Sequence, residues 1–235
     1  MKVIGKDIGT ALDAMALELE SRLRIEAECE LRVEAFEAGS FSSVDWAPGV
    51  CVVFLHNGVP THALTHVFGV ALQHIRQQLD HYPSVVPGSY DGPGADLVRT
   101  TLRELVMAPE AELALAPLGI DVTWEIEQRH AGLKELLRDA PKEWNDIDSP
   151  GGAFSTLQYA RFAIEHPPEL WTALQSTFAE KLPKTAEQGE IVAKLVREKG
   201  WATPGACLEA LVAARDAINI AAVAGIEDRR NGAVL

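Results

Sequence analysis

Between Val50 and Ile75 the spacing of apolar residues changes from that of a strand to that of a helix, and a chain with this switch must pack a helix against a sheet. Val50-Cys-Val-Val-Phe-Leu55 is a short β-branched run suited to a well-buried strand. His56-Asn57-Gly58 and Pro60 follow as a turn. Beyond them Leu64, Phe68, Ala71, Leu72 and Ile75 recur at three- and four-residue spacing, which predicts an amphipathic helix that Thr61 is placed to cap and that ends near Asp80. Upstream, Ile8, Leu12, Met15, Leu19 and Leu23 predict a first helix over 8–23, and Glu30-Leu-Arg-Val-Glu-Ala-Phe36 alternates at period two like a half-buried antiparallel strand ended by Ala38-Gly39-Ser40.

The remainder reads as helical. Residues 95–107 carry a helical pattern that Pro109 is expected to interrupt before a short helix at 110–118, and residues 124–138 form a polar helix. The Pro/Gly-rich stretch 87–94 reads as a mobile loop. Residues 141–152, with Pro150-Gly-Gly152, read as a linker between a region 1–140 and a helical region 153–226, and residues 227–235 as a frayed tail. The expected fold is therefore α+β: a helix, a small sheet and a histidine-bearing helix, followed by an all-helical C-terminal half.

The predicted helix at 61–79 is unusual for its histidines. Five of the seven in the chain lie between positions 56 and 81, and His62, His66 and His74 share this helix. Imidazoles at i and i+4 project from one face, as metal ligands in zinc peptidases do. His62-Ala63-Leu64-Thr65-His66 keeps that pair but has alanine where a general base would stand, whereas His66-Val67-Phe68-Gly69-Val70 keeps neither base nor second ligand. His74 is eight residues past His66, about 12 Å along the axis, too far to join the same site. Packing explains His66 equally well, because it borders the apolar stripe and suits a buried, hydrogen-bonded ring.

Asn57-Gly58-Val59-Pro60 followed by His66-x-x-Gly69-x-Ala71-Leu72 resembles the lead-in and HExGH-Ala-Leu signature of bacterial zincin-like metallopeptidase domains, with Val67 and Val70 in place of the glutamate and second histidine. Arg103-Glu104-Leu-Val-Met-Ala-Pro109-Glu and Leu118-Gly119-Ile-Asp121 are similar to the downstream segment of such domains. The resemblance covers roughly residues 8–121 and implies a zincin-like fold with a degenerate motif. It assigns no catalytic and no cofactor-binding residue and implies a pseudoenzyme working through protein binding or regulation. The alternative it leaves open is a metal-dependent hydrolase in a shifted register, with zinc held by His62, His66 and Glu104.

Composition narrows the partners. A net charge of −13 without a Lys/Arg cluster disfavours nucleic acid, and a protein with a basic face is the better match. Cys29, Cys51 and Cys207 show neither disulfide nor zinc-knuckle spacing, and there is no apolar run long enough for a membrane span, so a cytoplasmic location is expected. Oligomeric state is not specified by any of these features.

Overall fold

A computed structural model describes residues 1–37 and 39–235; Ala38, expected to help end the first strand, lies outside them. The fold is mixed α+β, with strands mostly in the N-terminal half and helices in the C-terminal half. The chain divides into two compact units, residues 1–80 with 111–127, and residues 81–110 with 128–235.

The first unit opens with a hairpin of β1 (Lys2–Val3) and β2 (Lys6–Asp7), turned by Ile4 and Gly5, both at positive φ. The hairpin ends before the segment 8–23 expected to be helical, and with Gly9 at positive φ just inside that segment α1 (Asp13–Glu26) begins five residues later than its apolar spacing suggests. Next come β3 (Glu30–Phe36), β4 (Ser42–Ala47), β5 (Val50–His56) and α2 (Thr61–Leu79). The sheet order is β3-β5-β4. β4 turns directly into β5 and takes its antiparallel edge, which leaves β3 to pair in parallel on the other edge, not antiparallel as its alternation suggests.

Central β5 alternates, with Cys51, Val53 and Leu55 fully buried and their neighbours half-buried. These three join Leu19 and Leu23 of α1 and Leu64, Phe68, Leu72 and Ile75 of α2 in one apolar core. Burying each of the larger side chains contributes roughly 1.5–3 kcal/mol. Pro60, not Thr61, is the residue preceding α2, and Lys6 fixes this entrance by donating to the carbonyls of Val59 (2.6 Å) and Asn57 (3.2 Å).

In the second unit, β6 (Ser84–Pro87) precedes α3 (Ala95–Leu115), which runs unbroken through Pro109 into the first unit's segment. Proline here removes one intrahelical N–H, but the helix keeps its phase. The chain returns along α4 (Thr123–Arg138) and continues through α5 (Pro150–Glu165), α6 (Pro168–Lys181), α7 (Pro183–Lys199) and α8 (Pro204–Ala217). Proline occupies the first position of all four of these last helices, where its fixed φ suits the helix and its missing N–H costs nothing. Ser149 and Thr203 cap two of them, accepting from the amides of Gly152 and Ala206. Their apolar faces bury Leu157, Phe178, Val192, Val196 and Leu211.

Three segments depart from expectation. Residues 141–152 pack within the second unit: Trp144 meets Phe154 edge-on at 5.2 Å, its carbonyl accepts from Ser155, and Gly152 leaves no space for a Cβ beside the Asp146 carbonyl. Residues 88–94 are tied down, with Gly88 and Tyr90 donating to the carbonyls of Val223 and Ala222 and Asp91 paired with Arg99. The C-terminus forms β7 (Ala224–Asp228) and β8 (Ala233–Val234), which continue the sheet from β6, so neither a frayed tail nor a purely helical second half describes it. Among the described residues no helix is long and apolar enough to cross a membrane.

Candidate functional site

His66 lies on the core-facing side of α2 and is 1% exposed. One turn along, Gly69 faces Leu115 of α3 so closely that an added Cβ would sit 3.1 Å from the Leu115 Cδ2 atom. This approach, permitted by the absent side chain, brings Glu112, one turn before Leu115, up to the imidazole. A second carboxylate comes from the first turn of α4. There Asp121 accepts from the Thr123 amide at 3.0 Å and Trp124 packs on Phe41 at 4.9 Å, positioning the adjacent Glu125.

The result is a buried imidazole between two carboxylates. His66 Nδ1 lies 2.7 Å from Glu125 Oε2, and Nε2 lies 2.9 Å from Glu112 Oε2. Burial by itself opposes a charge on this ring, but the hydrogen bonds with Glu112 and Glu125 and their negative charges outweigh it, and the pKa is pushed up to about 9. At neutral pH the ring is an imidazolium that donates both N–H groups. Nearby, hydrogen bonds from Thr123 hold the exposed Asp121 carboxyl below its ordinary range, with smaller contributions from His62 and His66.

His66, Glu112 and Glu125 form a cluster with metal-ligating atoms within 4.8 Å of one another. The donor set of one imidazole and two carboxylates is chemically suited to a divalent cation. Its present arrangement is not, because one ring nitrogen at most binds a given ion and each nitrogen here faces a different carboxylate. A cation would have to displace the Nε2 proton, take Glu112 as its second ligand and leave Glu125 to orient the ring through Nδ1.

Of the residues singled out from the sequence, only His66 enters this cluster. His62 is exposed in the first turn of α2. Glu104 belongs to the second unit, where it pairs with Arg103 at 2.6 Å and Arg161 at 3.8 Å. Glu104 and Glu112 share α3 but stand eight residues, about two turns, apart. His74 bonds to Gln77 of its own helix at 2.8 Å, and Glu110, in the second unit, accepts from Tyr82.

Glu112 and Glu125 escape sequence reasoning for different reasons. Continuing the α3 period through Pro109 would have put Glu112 one turn before Leu115. Nothing local distinguishes Glu125 from any acidic residue in a helix's first turn, a common place for one.

Comparison with family models, curated proteins and solved structures yielded no match to this chain.

Proposed function

We propose that this chain is a degenerate zincin-like protein without peptidase activity that acts by binding another protein. The observation that carries this reading is the commitment of both His66 nitrogens to Glu125 and Glu112, which turns the one histidine at the centre of the motif into a buried cation cross-linking three helices. Ala63 stands in the position following His62 where a peptidase would carry its glutamate base, and α2 has no carboxylate to replace it. The net charge of −13 favours a partner with a basic face over nucleic acid. Buried cysteines without a disulfide suit a reducing compartment such as the cytoplasm.

The second reading is the metal-dependent hydrolase, redrawn around a zinc ion on His66 Nε2 and Glu112 with Glu125 orienting the ring. It is favoured by one feature, the close approach of the three ligating groups. Elemental analysis of untagged protein, with His66→Ala alongside, separates the two. The binding reading expects no stoichiometric metal and a melting temperature indifferent to chelator. One zinc per chain, lost in the variant, would overturn it in favour of the hydrolase.

A further inference from the structure

A second feature of this acidic chain has the opposite electrical character. In the second unit, α4 and α6 border a groove of about 600 Å³, within the size range of small-molecule sites. Its floor is apolar, with Leu137 and Leu174 supplied by the core and Ala131 and Ala173 offering little bulk above them. Three cations, Lys134, Arg138 and Lys181, line it against a single carboxylate, Glu135. That balance reverses the −13 of the whole chain.

The cations are not equivalent. The Lys181 ammonium is held in place, donating to the last carbonyls of α4 at Leu137 (2.8 Å) and Arg138 (2.9 Å), which leaves one of its three N–H groups for a ligand. Arg138 is paired with Asp139 at 2.8 Å and Glu135 at 3.5 Å. Lys134, one turn before Arg138, is exposed and among the described residues has no ion-pair partner. From His130 to Arg138 the α4 wall is about 12 Å long, the reach of a medium-length alkyl chain.

We propose that this groove binds a small anionic amphiphile, a carboxylate with a linear apolar tail. Its headgroup lies among Lys134, Arg138 and Lys181, and its tail covers Leu137, Leu174 and Ala173 toward His130. The cations supply the sign preference and the floor supplies the burial. This inference does not depend on the His66 cluster, and either stands if the other fails.

The test is isothermal titration of the full chain at low ionic strength with decanoate, with decyltrimethylammonium, and with an amphipathic helical peptide bearing glutamates beside a leucine stripe. The amphiphiles are kept below their micelle concentrations. Decanoate is expected to bind at one per chain, decyltrimethylammonium far more weakly, and Lys134→Glu to weaken decanoate by about tenfold or more. Ala173→Trp, at an exposed position, fills the groove and should remove binding while circular dichroism and melting stay those of the parent. Equal binding of the two amphiphiles, indifference to Lys134→Glu, or no decanoate binding would overturn the proposal. Binding of the peptide without decanoate would overturn it as well, and would make the groove a protein-docking surface.

Discussion

Each unit buries a histidine, and only one of the two rings is charged at neutral pH. His66, in the first unit, is sandwiched by carboxylates and pushed up to about 9. His166, in the second, is 7% exposed and pushed down to about 4, chiefly by burial and then by His130 and Arg129. His130 Nδ1 lies 3.0 Å from His166 Nε2, and the ring planes differ by 7°. Their centroid separation of 5.2 Å is close to that nitrogen distance plus two ring radii, so the rings meet edge to edge in an N–H···N bond and not face to face. Burial penalises charge at both sites, and the neighbours decide the outcome. Two acids overcome the penalty at His66; a second imidazole and a guanidinium add to it at His166.

Removing the ring is the strongest way to break this contrast. His66→Ala leaves Glu112 and Glu125 facing one another without their cation, and is expected to cost about 3 kcal/mol at pH 7, measured by urea unfolding. The partial exposure of both carboxylates keeps the cost at the low end of the range for broken buried pairs. A loss below 1 kcal/mol would show the cluster to be incidental to stability.

The pH dependence should run in opposite directions for the two histidines. The folded pKa of His66 is raised above 6.5, so its stabilising contribution is complete below 6.5 and is lost as pH rises through about 9, a change of about 3 kcal/mol. The folded pKa of His166 is lowered, so the unfolded chain binds the extra proton between 6.5 and about 4 and stability falls as pH drops through that window. Unfolding free energies across pH 4–10, repeated in His66→Ala, should lose the alkaline decline and keep the acidic one. An unchanged alkaline decline in the variant would assign it to other groups.

Between the carboxylates, Glu125 is the more buried, with a side chain 15% exposed against 29% for Glu112, and it makes the shorter bond. Glu125→Gln should therefore destabilise more, by about 2 kcal/mol against about 1 kcal/mol for Glu112→Gln, and each should lower the His66 pKa read by NMR of the imidazole C2 proton. The reverse order would mean that Glu112 carries the clasp. The smallest effect is expected in the second unit. His130→Phe should cost about 1 kcal/mol for the lost hydrogen bond and raise the His166 pKa, which stays below its ordinary value because burial, the larger cause, remains. An unmoved His166 titration would dismiss His130 as a contributor.

Much of the scaffold was legible without coordinates. The period-two run at Glu30–Phe36 and the β-branched run from Val50 mark β3 and β5, and the apolar spacing around Phe68 marks α2. Of the candidate site, His66 was legible, because a histidine beside an apolar stripe must find polar partners when buried. Which partners was not. Glu104 has the better sequence context, yet the phase that α3 keeps through Pro109 gives Glu112 to His66, and Glu104 pairs with Arg103 and Arg161.

By itself the sequence determined what depends on near neighbours: helix starts at Pro168 and Pro204, the apolar periods of α2 and of the helices beyond Phe154, and the faces that must be buried. Only the tertiary structure decided that β3 runs parallel to β5, that β7 finds β6 from the far end of the chain, and that His66 is charged while His166 is neutral. The physical reason is one of range. Dihedral preference and apolar period act over a few residues, whereas strand partners and the field at a buried ring are set by groups that folding brings together from distant positions.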